Sequence, residues 1–262
     1  MIRMFACVLL LAIAGTASAR VVAESVTYEH GGVKLVGYLA YDDAAEGPQP
    51  GVLVVPEWWG LNDYAKKRAR MLAELGYVAF ACDMYGGGKT TDAADTASKW
   101  AGRLYGNVER WRGRAMAGLS QLKRHDRVDA DRCFAIGYCF GGSTVTQLAW
   151  AGADLLGVVS FHGSLPTPGQ DEQPDVKCEL LICHGAADPM VKPATVEAFK
   201  QALAEADATY TFIAYADAEH AFTNPAADDY GIEGVSYDRR ADRRSWEHMQ
   251  TFFNALLDED DQ

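Results

Sequence analysis

The segment GYCFGG, residues 137–142, places a cysteine between glycines where an apolar strand is predicted to meet a helix. The apolar run CFAIG leads into it, and the run STVTQLAWA that follows is typical of a helix. G-x-C-x-G is the nucleophile-elbow pattern with cysteine in place of serine, in which a sharp turn leaves little room for neighbouring side chains. Cys139 would lie at a helix N-terminus, whose partial positive charge favours a thiolate. For this segment alone, the alternative is a glycine-rich turn with an inert thiol.

An acid and a histidine follow Cys139 in the chain order that an elbow nucleophile requires. Asp188, in LLICHGAADPMV, follows one predicted strand, and His220, in TFIAYADAEHAF, follows the next. His220 would accept the thiol proton, and Asp188 would hold the other ring N–H and fix the tautomer. Taken singly, Asp188 fits a turn or a helix cap and His220 fits an ordinary loop. Together and in this order they predict a Cys-His-Asp triad.

Glu57 follows the apolar run GVLVVP and precedes two tryptophans. A carboxylate at a strand end beside aromatic side chains is a candidate for a perturbed pKa, with an exposed loop carboxylate as the alternative. Hydrolases of this design take one oxyanion donor from the residue after the nucleophile and one from the loop after such a strand. The backbone N–H groups of Phe140 and Trp58 are therefore the predicted oxyanion hole.

Candidate pocket walls are found among the side chains near predicted strand ends, with core packing as the alternative for each. They are Trp59, Tyr85, Phe161, His162 and Phe222. His184, close to the Asp188 turn, is given a structural role. The remaining histidines are predicted to lie on the surface: His30, His125 and His248.

Short β-rich runs alternate with amphipathic stretches from about residue 25 to the end of the chain. This alternation predicts an α/β fold with a mostly parallel sheet covered by helices on both faces. In such sheets, functional residues lie in loops at the carboxyl ends of the strands. A helix is predicted to begin at Asn62 or Asp63, and a long helical region from about Asp92 to Lys123. Residues 20–262 contain no repeat or linker and are predicted to form a single domain.

The first 19 residues, MIRMFACVLLLAIAGTASA, have one positive charge, a short apolar run and a small-x-small pattern. This pattern predicts a cleaved signal peptide and a periplasmic or secreted protein without stable membrane insertion; an uncleaved anchor or a misplaced start is the alternative. Five cysteines would remain after cleavage, and disulfides are possible in an oxidising compartment. The formal net charge of −12 argues against a nucleic-acid partner.

The sequence resembles the dienelactone hydrolase family, a branch of the α/β-hydrolases with a cysteine nucleophile. The resemblance rests on PEWWGLN, CDMYGG, GYCFGG, HGAADPMV and HAFTNP, which extend over most of the chain after residue 20. It implies an α/β-hydrolase fold and a reaction that needs no metal or organic cofactor. It also implies that Glu57 holds the thiol of Cys139 in the resting enzyme, and that substrate binding releases a thiolate paired with His220.

The chain departs from the family where dienelactone-opening enzymes carry arginines that grip a substrate carboxylate. One arginine would follow the CDMYG turn, where this chain has GGGK, and the other would follow the catalytic histidine, where it has AFTN. A single lysine, Lys89, does not reproduce the bidentate geometry of arginine. Dienelactone is therefore not expected as the substrate.

Hydrolysis of small carboxylic esters or lactones through a thioester on Cys139 is the leading functional hypothesis. A non-catalytic periplasmic binding protein on a hydrolase fold is the alternative from another class, since a fold does not guarantee its activity. An enzyme that acts on an activated amide or a thioester is a third possibility, because pocket shape sets specificity.

Overall fold

A computed structural model describes residues 20–260, and the predicted signal sequence at 1–19 lies outside the described residues. Within that range, eight strands form one sheet: β1 (Val21–His30), β2 (Val33–Asp42), β3 (Gln49–Val55), β4 (Val78–Ala81), β5 (Val128–Tyr138), β6 (Gly157–Phe161), β7 (Glu179–Gly185) and β8 (Tyr210–Tyr215). Their order across the sheet is β1-β2-β4-β3-β5-β6-β7-β8. Strand β2 is antiparallel to both of its neighbours, and the remaining pairs are parallel. The predicted α/β fold with a mostly parallel sheet is confirmed.

Helices cover both faces of the sheet. They are α1 (Asp63–Glu74), α2 (Ala94–Tyr105), α3 (Val108–Lys123), α4 (Phe140–Trp150), α5 (Pro193–Glu205) and α6 (Arg239–Asp260), with a 3-10 turn at Ala227–Tyr230. Leu72 of α1 and Phe253 of α6 belong to the buried cluster on one face. Leu119 of α3, Leu148 of α4 and Leu203 of α5 belong to the cluster on the other. The central strands are apolar on both sides because both sides are buried.

Helix α1 begins where its sequence predicts. Asn62 has an extended backbone, and its side chain accepts a hydrogen bond from the N–H of Ala65 at 3.3 Å. This is a typical N-cap, which satisfies one of the N–H groups that a helix leaves without an internal partner.

The region predicted to be helical from about Asp92 to Lys123 is helical, and it is divided into two helices, α2 and α3. Helix α2 ends at Gly106, and Asn107 caps α3 by accepting a hydrogen bond from the N–H of Arg110 at 2.8 Å. The Asn107 cap satisfies one of the N–H groups that α3 leaves without an internal partner. The break allows α2 to turn toward the loops at the carboxyl edge of the sheet.

The four residues predicted to do chemistry lie at one edge of the sheet. Glu57, Cys139, Asp188 and His220 follow the carboxyl ends of β3, β5, β7 and β8. Since these strands are parallel, their carboxyl ends face the same side and their loops meet there. The five cysteines of residues 20–260 are free thiols. Among the described helices, none is long and apolar enough to cross a membrane.

Candidate active site

Cys139 lies at a turn that only small neighbours permit. Its backbone has φ 53° and ψ −113°, in the positive-φ region that is unfavourable for a residue with a side chain. A Cβ on Gly137 would lie 2.0 Å from the carbonyl oxygen of Gly141, and a Cβ on Gly141 would lie 2.1 Å from that of Val55. The glycines of the GYCFGG segment are therefore required by backbone contacts, and they fix Cys139 between β5 and the first turn of α4.

His220 and Asp188 form a buried pair beside Cys139. The Nδ1 atom of His220 is 2.8 Å from Oδ2 of Asp188, and the side chain of Asp188 has no exposed surface. The other oxygen of Asp188, Oδ1, accepts a hydrogen bond from the N–H of Met190 at 2.8 Å. Asp188 therefore holds the Nδ1–H of the imidazole, and Nε2 is the nitrogen left for a proton-transfer partner.

The protonation of His220 is set by two opposing effects. Burial lowers its pKa, while the interaction with Cys139 and the hydrogen bond to Asp188 raise it, and the result lies well above the ordinary value of 6.5. An imidazolium next to a thiol stabilises the thiolate form of that thiol. Asp188 and Cys139 therefore both stabilise the imidazolium form of His220.

His220 is fixed on its other side by a short β-bridge to Val235. The N–H of His220 donates to the carbonyl of Gly234 at 3.0 Å, and the carbonyl of His220 accepts from the N–H of Ser236 at 3.1 Å. A Cβ on Gly234 would lie 2.2 Å from the ring of Pro189, next to Asp188. The segment 230–236 therefore holds the histidine loop against the aspartate loop.

Glu57 is buried, with 2% of its surface exposed, and it accepts a 2.6 Å hydrogen bond from Nδ2 of Asn224. Burial raises its pKa to about 7, although Asn224 and the charges of His220 and Arg68 lower it. In the part of the chain that the structure describes, the carboxylate thus pairs with Asn224, while the Cys139 side chain interacts with His220. The arrangement differs from the resting contact between Glu57 and Cys139 that the family resemblance implies.

Replacing Glu57 with glutamine should change how stability depends on pH. The ordinary pKa is 4.5 and the folded value is about 7. Between pH 4.5 and pH 7, Glu57 therefore keeps its proton in the folded protein and has lost it in the unfolded chain. The free energy of unfolding of the wild type consequently falls as the pH rises through this range. The shift corresponds to about 3 kcal/mol. Glu57→Gln removes this titration. Between pH 4.5 and pH 7, the free energy of unfolding of the variant relative to that of the wild type should therefore rise by up to about 3 kcal/mol. Urea denaturation at several pH values would measure this difference.

The matched control is Glu46→Gln, which replaces an exposed loop carboxylate and should follow the wild-type curve. If the free energies of unfolding of wild type and Glu57→Gln change with pH in the same way, the pKa of Glu57 is not raised.

A cavity of about 210 Å³ opens onto these residues, and its polar wall includes Glu57, Cys139, Ser164 and His220. The rest of its wall is mostly apolar or aromatic, formed by Trp58, Trp59, Tyr105, Met190, Val191, Ala221, Tyr230, Ile232 and Val235. The ring of Trp59 lies 5.0 Å from that of Trp58 and 4.7 Å from that of Tyr230. Among the described residues that line it, none is lysine or arginine.

Four of the five predicted pocket walls lie elsewhere, and only Trp59 lines the cavity. Phe161 and Phe222 are 1% and 0% exposed, and the Phe161 ring stacks on Tyr138 at 4.8 Å. These two rings pack in the core between the sheet and its helices. Tyr85 lies behind the wall, where its hydroxyl donates to the carbonyl oxygen of Trp58 at 3.0 Å.

His162 is fully buried beneath the nucleophile instead of facing the cavity. Its Nδ1 accepts a hydrogen bond from the N–H of Cys139 at 3.0 Å, and its Nε2 lies 2.7 Å from Oγ1 of Thr223. Burial lowers its pKa well below the ordinary value, and the charges of His220 and Arg68 lower it further. The neutral ring therefore connects the nucleophile turn to the loop that carries His220.

The two predicted oxyanion donors lie at the start of α4, for Phe140, and in the loop after β3, for Trp58. Phe140 is the first residue of α4, where an N–H has no partner within the helix, and its ring is 1% exposed. Trp58 is half-buried on the cavity wall. Tyr85 fixes the peptide of Trp58 from behind, which leaves the nucleophile turn and the loop after β3 facing each other across the cavity.

In a comparison with known protein families, the model of the dienelactone hydrolase family matches residues 35–257. The chain belongs to the dienelactone hydrolase family. A protein of Escherichia coli K12 named "Putative carboxymethylenebutenolidase" is 29% identical over 234 residues, which are 85% of this chain and 83% of that relative.

Two solved structures of similar size also resemble this dienelactone hydrolase family member. One is described as a dienelactone hydrolase-like promiscuous phosphotriesterase from metagenomic libraries; it is 40% identical, with a TM-score of 0.87, and the match covers 90% of this chain and 98% of that one. The other, named m3DLH, is 38% identical with a TM-score of 0.88 and the same coverage. The chain is a hydrolase of the dienelactone hydrolase type.

The two segments noted above, GGGK and AFTN, each bind a carboxylate of this chain. Asn224 is the last residue of the AFTN segment, and its Nδ2 donates a hydrogen bond to Oε2 of Glu57. Gly86 and Gly88 belong to the GGGK segment, and their N–H groups donate to the carboxylate of Asp83 at 2.8 and 2.7 Å. No pattern in the sequence indicates the role of Asn224, because an asparagine in a loop has many uses. No local pattern predicts that Tyr105, Tyr230 and the 230–235 segment line the cavity, because their positions depend on long-range contacts.

Proposed function

We propose that the protein hydrolyses small uncharged carboxylic esters or lactones through a thioester on Cys139. The observation that carries this proposal is the placement of Cys139 and His220 on the wall of one mostly apolar cavity, with His220 hydrogen-bonded to Asp188. A thiol, an imidazole and a carboxylate in this relation are the elements of nucleophilic acyl transfer.

In the acylation step, the Cys139 thiolate attacks the carbonyl carbon and the C=O electron pair moves onto oxygen. The N–H groups of Phe140 and Trp58 stabilise this oxyanion. The tetrahedral intermediate collapses to a thioester as the C–O bond breaks, and Nε2–H of His220 protonates the leaving alkoxide. Asp188 stabilises the imidazolium through Nδ1–H, in the 2.8 Å hydrogen bond described above.

In the deacylation step, Nε2 of His220 removes a proton from water, which attacks the thioester carbonyl. The second tetrahedral intermediate expels the Cys139 thiolate and releases the carboxylic acid. For a lactone, the alcohol and the acid remain in one molecule. All of these steps use side chains and backbone groups of this chain.

The absence of lysine and arginine from the described cavity wall favours uncharged substrates. A carboxylate moved from water into an apolar cavity without a partner is strongly disfavoured. Glu57 on the same wall would add repulsion whenever it is ionised. A substrate with an apolar acyl group would instead contact the tryptophans and the 230–235 segment.

A matched pair of esters tests this proposal. p-Nitrophenyl butyrate and mono-p-nitrophenyl succinate have acyl chains of equal length, and only the second carries a carboxylate. The kcat/KM for the butyrate should be higher by about tenfold or more, which corresponds to about 1.4 kcal/mol. Equal values, or a preference for the succinate, would contradict the proposed substrate class.

Uncharged phosphotriesters are a second candidate substrate class. The described wall of the cavity has no lysine or arginine, and the structural relative at 40% identity is described as a promiscuous phosphotriesterase. Paraoxon hydrolysis that disappears in Cys139→Ala would support this activity, whereas equal rates in both proteins would argue against it.

A further inference from the structure

Four cationic side chains converge on a second pocket, on the α2–α3 side of the sheet. The pocket has a volume of about 200 Å³, and its lining residues are all different from those of the active-site cavity. The residues that matter for its chemistry are Lys89, Arg103, Arg110, Arg114, Tyr85 and Trp100. We call this the α2–α3 pocket.

In the part of the chain that the structure describes, the four cations of the α2–α3 pocket make no direct salt bridge. Within residues 20–260, none of the four forms an ion pair with a carboxylate. The chain has 36 acidic and only 24 basic residues, so carboxylates are abundant on its surface. Four cations facing one space in such a protein repel each other, and a bound anion would relieve that repulsion.

Arg114 forms the floor of the pocket and is 7% exposed. Its Nη1 donates to the carbonyl of Met84 at 3.2 Å, and its buried Nε has no hydrogen-bond partner among the described residues. Burial lowers the pKa of Arg114, Asp83 and Tyr28 raise it, and Arg110 lowers it. A buried guanidinium with a free donor favours an acceptor that carries negative charge.

The nearby carboxylate of Asp83 is already occupied. It accepts hydrogen bonds from four backbone N–H groups: those of Val36, Tyr85, Gly86 and Gly88, at 2.7–3.0 Å. Asp83 contributes an attractive charge to Arg114 but leaves Nε without a partner. The carboxylate of Asp83 is therefore held by the backbone, and Nε of Arg114 has no hydrogen-bond partner among the described residues.

We propose that the α2–α3 pocket binds a small multivalent oxyanion, with phosphate or clustered carboxylate groups. Guanidinium groups match the planar and tetrahedral oxygens of these anions, and three arginines with one lysine can neutralise more than one negative charge. The rings of Tyr85 and Trp100, 5.3 Å apart, supply an apolar wall for an organic part of the ligand. Exposed Lys89, Arg103 and Arg110 lie at the rim, where they can close around the anion.

The pocket lies next to the active-site cavity and shares no lining residue with it. The hydroxyl of Tyr85 donates to the carbonyl oxygen of Trp58, and its ring lies 6.0 Å from that of Phe140. Binding at the α2–α3 pocket requires none of the residues proposed for ester hydrolysis. The two proposals can therefore fail separately, and Cys139→Ala should bind the anion as wild type does.

Isothermal titration calorimetry with inorganic phosphate and with citrate, in chloride buffers of matched ionic strength, tests the proposal. Wild-type protein should show saturable one-site binding of at least one of these anions. The double variant Arg103→Gln/Arg110→Gln changes two exposed side chains and should bind at least tenfold more weakly. The matched control, Arg239→Gln/Arg240→Gln, removes the same charge from the exposed start of α6 and should bind like wild type.

Thermal denaturation of the same proteins gives a second readout, because a ligand that binds the folded state raises its midpoint. The anion should raise the midpoint of the wild type and of the control, and should raise that of the pocket variant less. The proposal is overturned if millimolar phosphate and citrate produce neither saturable heat nor a shift. It is also overturned if all three proteins respond equally.

Discussion

Cys139→Ala should lose the pre-steady-state burst of p-nitrophenol from p-nitrophenyl acetate and should turn the ester over at least about 10⁴-fold more slowly. Alanine fits the elbow, since it adds no volume to the contacts made by Gly137 and Gly141. What it removes is the only atom that can form the thioester. Stopped-flow absorbance would measure the burst, and the mass of acid-quenched protein would show whether an acyl group is attached.

Cys178→Ala is the matched control. Cys178 is 4% exposed, and burial raises its pKa to about 12, so its thiol is unreactive at neutral pH. This variant should keep the burst and the turnover. If Cys139→Ala keeps both as well, another group is the nucleophile and the proposed mechanism fails. If wild type itself shows neither activity nor rapid alkylation of Cys139 by iodoacetamide, a non-catalytic binding protein becomes the better description.

Asp188→Asn should lower kcat by on the order of 10²–10⁴-fold at neutral pH. The N–H of Met190 donates to Oδ1 of Asp188, and it would hold the amide oxygen of asparagine in that position. The amide NH₂ would then face Nδ1 of His220, which could no longer keep its own proton there. The imidazole would carry its proton on Nε2 and could not accept one from the thiol or from water.

The pH dependence of Cys139 alkylation gives an independent readout of the same change. Asp188 raises the pKa of His220, so its replacement should lower that pKa and narrow the pH range in which the thiolate is paired with an imidazolium. Asp217→Asn, an exposed change in the loop after β8, should leave rate and pH profile unaltered. Wild-type kinetics in Asp188→Asn would show that the 2.8 Å hydrogen bond is only structural.

The parts of the site that follow strand ends were predictable from the sequence. Cys139, Asp188 and His220 each come just after an apolar run, and parallel strands bring such positions to one edge of the sheet. The sharp turn at Cys139 was also predictable, because the glycines around it are spaced where backbone contacts exclude a Cβ.

The pocket walls were less predictable, because a strand-end aromatic can face either surface of the sheet. Phe161 is the last residue of β6, yet its ring stacks on Tyr138 in the core. His162 has a backbone φ of 41°, which places its ring beneath Cys139, and no local sequence pattern predicts this conformation. The true walls at Tyr105, Tyr230 and Val235 come from segments whose positions depend on long-range contacts such as the bridge between His220 and Val235.

That bridge has a consequence for how new specificities can arise in this enzyme. Ile232 and Val235 line the cavity, while the backbone of the same segment holds the backbone of His220. A side-chain substitution in the 230–235 segment would change the shape of the cavity and leave His220 in position. An insertion or deletion in this segment would displace His220 together with the cavity wall. Laboratory evolution of this scaffold should therefore accumulate point substitutions in the 230–235 segment and tolerate length variation only in loops that carry no catalytic partner.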